Sequence, residues 1–206
     1  SLLAETGGQA KFAGVGGPQM AAAGLDSLFN PAELALLGIF EVVPKARQVF
    51  KRVADVLADI ERVQPDVLVT IDSWGFTGRI HQRLARGGST IPRVRYVAPQ
   101  VWAWRPGRAK QLSKWIHHLL PLVAVAPPLF RQHGLAATWV GHPVVESGVD
   151  KGDGAAFRLR HGIGKENLVL GVLPGSRAGE VTRLLPVFRQ AISLLSQSHG
   201  SFRVVV

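Results

Sequence analysis

Asp72 directly follows the apolar, β-branched run 66–71 (DVLVTI). A run of that length and composition reads as a buried strand. A carboxylate at its C-terminal end stands at the edge where ligands bind in parallel sheets and can act as a general base. The same position equally suits an Asp that closes a turn with Ser73 or caps the next helix. A second constellation, Leu173-Pro174-Gly175-Ser176-Arg177, joins the apolar run 168–173 (LVLGVL) to a helical pattern. Gly175 lets the backbone approach a ligand closely. Ser176 can cap the helix, whose free N–H groups favour phosphate. Arg177 can meet diphosphate oxygens as a fork. An ordinary strand-to-helix turn with a surface Arg is the competing reading. Glu180 lies four residues after Ser176, one too many for the usual capping box.

Three further groups carry weaker signals. Trp102, Trp104, Arg105, Arg108 and Lys110 mix aromatic rings with positive charge. That mixture can stack bases, grip a phosphorylated sugar or line a membrane face; two half-buried tryptophans beside a solvated helix explain it as well. Gly14-Val15-Gly16-Gly17-Pro18 lacks the spacing of a dinucleotide fingerprint and reads as a loop near substrate or a flexible turn. His142, in Gly141-His142-Pro143, is a lone histidine, more often structural than catalytic. His117 and His118 are adjacent and diverge on a helix, so no metal site is expected. The apolar stretch 33–43 (ELALLGIFEVV) is core by default, or a lipid-facing patch.

These residues need elements to hold them. Helical spacing places Phe76, Ile80 and Leu84 on one face of a helix that Gly87-Gly88 ends. Strands are expected at 94–97, 119–125 and 138–140, a basic helix at 106–117, and a short helix at 129–133. Residues 146–154 (ESGVDKGDG) are polar and Gly-rich, and read as a hinge. The rhythm then restarts: a helix at 157–161, a strand at 168–173, a helix at 181–196 with Leu184, Leu185, Phe188, Ile192 and Leu195 on one side, and a strand at 202–206. Alternating strands and helices imply an α/β fold, a parallel sheet covered on both faces.

Composition bounds the class. The 206 residues include 24 Lys+Arg and 14 Asp+Glu, a formal charge of +10, with 47% hydrophobic and 18% charged residues. Such a chain is neither disordered nor collagenous. With no cysteine, disulfides and thiolate metal sites are excluded. No apolar run approaches the ~18 residues of a spanning helix. The charge favours an anionic partner, whether nucleic acid, phosphorylated substrate or acidic membrane. An RNA-binding module of this composition would show steeply salt-dependent affinity.

The motifs taken together are more specific. The segment from Phe12 through Gly14-Val15-Gly16-Gly17-Pro18-Gln19-Met20 to Leu25 resembles the FxGVGGPxMxAxGL segment of the lipid-A-disaccharide synthase family. Residues 33–43 resemble its EL…MG…EV segment, with Leu37 where Met is common. Ile71-Asp72-Ser73, the run 96–105 (YVAPQVWAWR), Gly107-Arg108, Val140-Gly141-His142-Pro143 and Leu173-Pro174-Gly175-Ser176-Arg177 follow in the family's order. The resemblance covers nearly the whole chain. Two departures stand out: the family's GExSGD segment is not in the sequence, and Trp74-Gly75-Phe76 stands where Pro-Asp-Phe is usual.

The resemblance implies a GT-B glycosyltransferase with two Rossmann-like domains. Residues 1–145 would form the acceptor-side domain without its first strand, 146–154 the hinge, and 155–206 the start of the UDP-sugar-binding domain. The chain would then be a fragment, inactive alone. The reaction implied is inverting transfer of 2,3-diacylglucosamine from its UDP carrier to 2,3-diacylglucosamine 1-phosphate, giving the β(1→6) disaccharide 1-phosphate and UDP. No cofactor or metal is expected, and no nucleic-acid partner. The place implied is the cytoplasmic side of the inner membrane of a Gram-negative bacterium, with peripheral attachment to its anionic surface. Asp72 matches the family's proposed base, and Arg177 with the Ser176 helix end can stabilise the charge that develops on the leaving UDP. Gly175, Ser176, Arg177 and Glu180 become donor-site candidates. Gln100, Trp104, Arg105, Arg108 and His142 become acceptor-side candidates, and Leu34, Leu37, Ile39 and Phe40 membrane-patch candidates. Another GT-B UDP-sugar enzyme is the alternative within the same architecture.

Overall fold

The computed structural model describes residues 2–35, 42–102, 105–176 and 178–206. The chain divides into two compact units, Ser1–Pro143 and Val144–Val206.

In the first unit, short helices α1 (Leu2–Glu5), α2 (Pro18–Ala22) and α3 (Ala32–Ala35) precede the long α4 (Val42–Val63). There follow β1 (Leu68–Ile71), α5 (Trp74–Arg86), β2 (Arg93–Tyr96), α6 (Gly107–Leu112), β3 (His118–Leu120), α7 (Ala126–Arg131) and β4 (Ala136–Ala137). The four strands are parallel and lie in sequence order. The register aligns Thr70 with Arg95, Arg95 with Leu119, and Leu119 with Ala137, so these side chains share one face.

Leu119 and Ala137 pack there with Leu112, Ile116 and Phe130. A neighbouring cluster joins Phe29, Val53, Ile60, Phe76 and Ile80, with Leu68 and Leu84 packed against it. The expected stripe Phe76-Ile80-Leu84 thus faces core. The expected burial of β1 on both sides is corrected: Val69 and Ile71, on the other face, are 52% and 48% exposed. The topology gives the reason. Strands ordered 1-2-3-4 in one direction put every right-handed crossover on the same side of the sheet. Helices α5, α6 and α7 therefore cover one face.

Several element bounds differ from the sequence reading for local reasons. The basic helix stops at Leu112, because residues 113–117 turn to align with β2. The Arg93 N–H donates to His117 Nδ1 at 2.9 Å, and the His117 N–H donates to the Arg93 carbonyl at 2.9 Å. His117 and His118 are therefore not on a helix, and His118 instead meets Thr138 Oγ1 at 2.9 Å. Pro127-Pro128 do not stop a long strand. They lie in the first turn of α7, where a missing N–H costs no hydrogen bond. The last strand falls at Ala136–Ala137 rather than 138–140, although Thr138 still donates to Leu119 O at 3.0 Å.

The second unit contains α8 (Gly154–Arg160), β5 (Val169–Gly171), α9 (Ala178–His199) and β6 (Arg203–Val205); the two strands pair in parallel. On α9 the half-buried apolar residues are Val181, Leu185, Phe188 and Ile192, while Leu184 and Leu195 are each 40% exposed. The buried stripe is rotated from the expected one, since it keeps strict i, i+4, i+7, i+11 spacing. Asp153 caps α8, its Oδ1 accepting the Ala156 N–H at 2.9 Å. Asp153→Ala is expected to lower unfolding free energy by about 1 kcal/mol, read from urea unfolding of the complete protein; an unchanged midpoint would show the cap contributes nothing.

Candidate active site

The loop between β1 and α5 carries Asp72. Its N–H donates to Tyr96 O at 3.0 Å, so the β1–β2 ladder runs up to the residue before the chain breaks away. Asp72 and Ser73 both adopt left-handed backbone, φ 46° and 49°. Ser73 holds the N-cap position of α5, but its side chain makes no capping hydrogen bond. Thr77, in the first turn of α5, donates from Oγ1 to Asp72 O at 2.6 Å, with Ser73 O at 3.0 Å. The backbone is thus held from both sides while the Asp72 side chain remains 70% exposed.

Beneath that carboxylate lies Arg95, whose side chain is 0% exposed. Its Nε donates to Val97 O at 3.1 Å and its Nη1 to Thr77 Oγ1 at 2.7 Å. Its Nη2 lies 3.8 Å from Asp72 Oδ1 and has no hydrogen-bond partner among the described residues. Burial pulls the guanidinium down to about 10; Asp72 opposes that fall and Arg108 adds to it. Arg95 is therefore still a cation at neutral pH. Val97 itself has φ 73°, a strained conformation for a β-branched residue.

Trp74 packs beside Arg95. Its ring lies 5.7 Å from the Arg95 guanidinium and 4.8 Å from that of Arg108, and it packs against Trp115 at 5.8 Å. Cations over an indole face are attracted by its quadrupole. Trp74, Arg105, Gly107, Arg108 and Gln111 line an open depression of about 320 Å³. Burial, and next the neighbouring Arg105, lowers the Arg108 pKa from its ordinary value. Arg105 also adopts a left-handed backbone, φ 56°. Gln100 and His142 are exposed on the stretches after β2 and β4. Loops that follow parallel strands share the C-terminal edge of the sheet, so both lie on the same edge as Asp72.

In the second unit, Gly175 has φ 118° and follows β5. A Cβ there would meet Glu180 atoms at 2.7 Å. Glu180 is the third residue of α9 and its Oε2 accepts the Ser176 N–H at 3.1 Å. The helix begins at Ala178, two residues after Ser176, so this bond is not the reciprocal capping box, as the four-residue spacing predicts. Glu180 here is a helix-end acceptor. Arg177 and Trp104 lie outside the described residues, as do Leu37, Ile39 and Phe40. Leu34 is half-buried against the Phe29–Val53–Ile60 cluster. The preceding Glu33 anchors it: Arg52 donates to Oε2 from Nη2 at 2.6 Å and from Nε at 3.0 Å, holding that carboxyl below its ordinary range.

Gly16 belongs to packing, since a Cβ would meet Leu25 Cδ2 at 2.4 Å and Met20 Sδ at 2.7 Å. Among the described residues no group of His, Asp and Glu could hold a metal ion, and no helix is long and apolar enough to cross a membrane. Arg95, Thr77 and Trp115 were not singled out from the sequence. The signal was in β2 itself: RVRY places Arg93 and Arg95 on one side at period two, and that side is the helix-covered one.

A parallel α/β unit with polar groups gathered on its C-terminal edge is a Rossmann-like ligand-binding frame, consistent with part of a GT-B enzyme. Comparison with known proteins is specific. The model of the family described as lipid-A-disaccharide synthetase matches residues 2–206. The lipid-A-disaccharide synthase of Rhodospirillum centenum is 49% identical over 97% of this chain and 50% of its own length. That of Paramagnetospirillum magneticum is 46% identical over 100% and 53%, and that of Gluconobacter oxydans 50% identical over 89% and 44%. The chain belongs to the lipid-A-disaccharide synthase family. It spans about half the length of the curated relatives it matches.

Proposed function

We propose that the complete protein transfers 2,3-diacylglucosamine from UDP-2,3-diacylglucosamine to the 6-hydroxyl of 2,3-diacylglucosamine 1-phosphate. The observation that carries this reading is the exposed Asp72 carboxylate on the ligand edge of a parallel sheet, beside a buried cation and an arginine- and tryptophan-lined depression, in a chain of this family. An α-linked donor that gives a β-linked product reacts by one inverting displacement. Asp72 takes the proton from the acceptor hydroxyl as that oxygen forms its bond to the donor's anomeric carbon. The bond from that carbon to the UDP oxygen breaks, and UDP leaves with the electron pair. Arg177, with the Gly175-Ser176 turn, stabilises the charge that develops on the diphosphate. Arg105 and Arg108, with Gln100, Trp104 and His142, orient the acceptor and its phosphate.

In this reading residues 1–145 serve the acceptor, 146–154 act as the hinge, and 155–206 begin the donor-binding domain. The enzyme works at the cytoplasmic face of the inner membrane, where both lipid substrates reside and the +10 net charge of these 206 residues attracts anionic lipid. The test is UDP release by the complete protein supplied with both lipids. Turnover that needs both substrates supports the proposal; no turnover by a folded protein overturns it.

A further inference from the structure

Two buried arginines stand on the same face of β2, two residues apart, and they are used differently. Arg93 ties carbonyls together: its Nε donates to Trp115 O at 2.7 Å, and its Nη1 to Ser89 O at 2.8 Å and Ile91 O at 3.1 Å. That is the behaviour of a structural arginine whose planar fork satisfies loop acceptors. Arg95 directs two nitrogens to Val97 O and Thr77 Oγ1 and leaves the third buried, without a hydrogen-bond partner among the described residues, and facing Asp72 Oδ1 at 3.8 Å. A buried N–H without a partner is unfavourable and needs an explanation. The approach is close enough for an ion pair and too long for a hydrogen bond.

We infer that Arg95 is the positioning residue for Asp72: it holds one carboxylate oxygen toward the protein and leaves the other facing the acceptor hydroxyl. The inference rests on the reading of Asp72 as the base. The geometry of the support is consistent with it. Thr77 bonds both the Arg95 guanidinium and the Asp72 carbonyl, so the cation and the carboxylate-bearing backbone share one anchor. The strained Val97 supplies the carbonyl that fixes Nε. Among the described residues, the charged and titratable neighbours of Arg95 are Asp72 from the β1–α5 loop, Arg108 from α6 and His81 from α5. Asp72 is the anion among them. Catalytic contacts that are long without substrate commonly tighten when it binds. Closure of the 3.8 Å gap would complete the hydrogen bonding of Nη2 as the acceptor seats.

The experiment is a double-mutant cycle in the complete protein, with Arg95→Met, Asp72→Asn and the pair, measuring kcat and the acceptor KM. Arg95→Met is expected to lower kcat by about 10- to 100-fold, the cost of misplacing a reacting group by about an ångström, with the acceptor KM changed less than about threefold. Arg95→Lys restores part of the loss. In the Asp72→Asn background Arg95→Met has no further effect, because the group it orients is gone; a merely structural role would multiply the two losses. Should Arg95→Met fail to fold, Arg95→Gln, which removes the cation but keeps a polar side chain in the buried site, enters the same cycle. Multiplicative losses, or a Met variant as active as wild type, overturn the inference. Wild-type turnover by Asp72→Asn alone overturns the base reading instead, so the two failures are distinct.

Discussion

Asp72→Asn in the complete protein lowers kcat by about 10²- to 10⁴-fold, the range that a positioned general base contributes. Asn keeps the size of the side chain and an oxygen that can face Arg95, but it cannot take a proton at neutral pH. The acceptor KM should change little, because the binding contacts of the acceptor are assigned to Arg105, Arg108 and their neighbours. Stability should hardly move. The Asp72 side chain is 70% exposed and 3.8 Å from Arg95, and its backbone is held by Tyr96 and Thr77 through main-chain atoms that Asn retains. Initial rates of UDP release, set beside thermal unfolding, separate the two effects. A variant within about tenfold of wild type would exclude Asp72 as the base. A variant that loses rate and fold together would show instead that the residue is structural.

How far the site can be read from sequence depends on which physical signal each residue leaves. The place of Asp72 was legible because it ends a β-branched run, which puts it at the C-terminal edge of the sheet. The Phe76-Ile80-Leu84 stripe was legible because its period matches a helix face. The end of the basic helix was not, because it is set by a non-local pairing of His117 with Arg93, 24 residues away. Burial of β1 was misjudged because Val69 and Ile71 look like core; which face is covered depends on strand order, which local composition does not encode. Arg95 was passed over for the opposite reason. A charged residue normally argues against burial, and only the period-two placement in RVRY, combined with knowledge of the covered face, identifies it as interior.

His81 makes the fold acid-sensitive. The ring is completely buried; its Nε2 meets Thr70 Oγ1 at 2.7 Å and its Nδ1 has no hydrogen-bond partner among the described residues. Burial, and after it the positive charges of Arg95 and Arg93, pushes its pKa from 6.5 down to about 3. In the unfolded chain the ring takes up a proton below about pH 6.5, whereas in the folded protein it stays neutral until about pH 3. Unfolding in that window therefore binds a proton, and acid favours the unfolded state. The contribution is fully present above pH 6.5, falls by about 1.4 kcal/mol per pH unit as the pH drops, and levels off below the folded value. Between pH 7 and pH 4 the loss is about 3 kcal/mol, a large part of the stability of a typical domain. Gln at this position can keep a hydrogen bond to Thr70 without titrating. His81→Gln should therefore be less stable than wild type at pH 7, where it loses the packing of the ring, and should close or reverse that gap by pH 4. Urea unfolding of both proteins across this range reads the difference directly. Parallel stability curves would show that His81 is protonated in the folded state and that its burial carries no pH dependence.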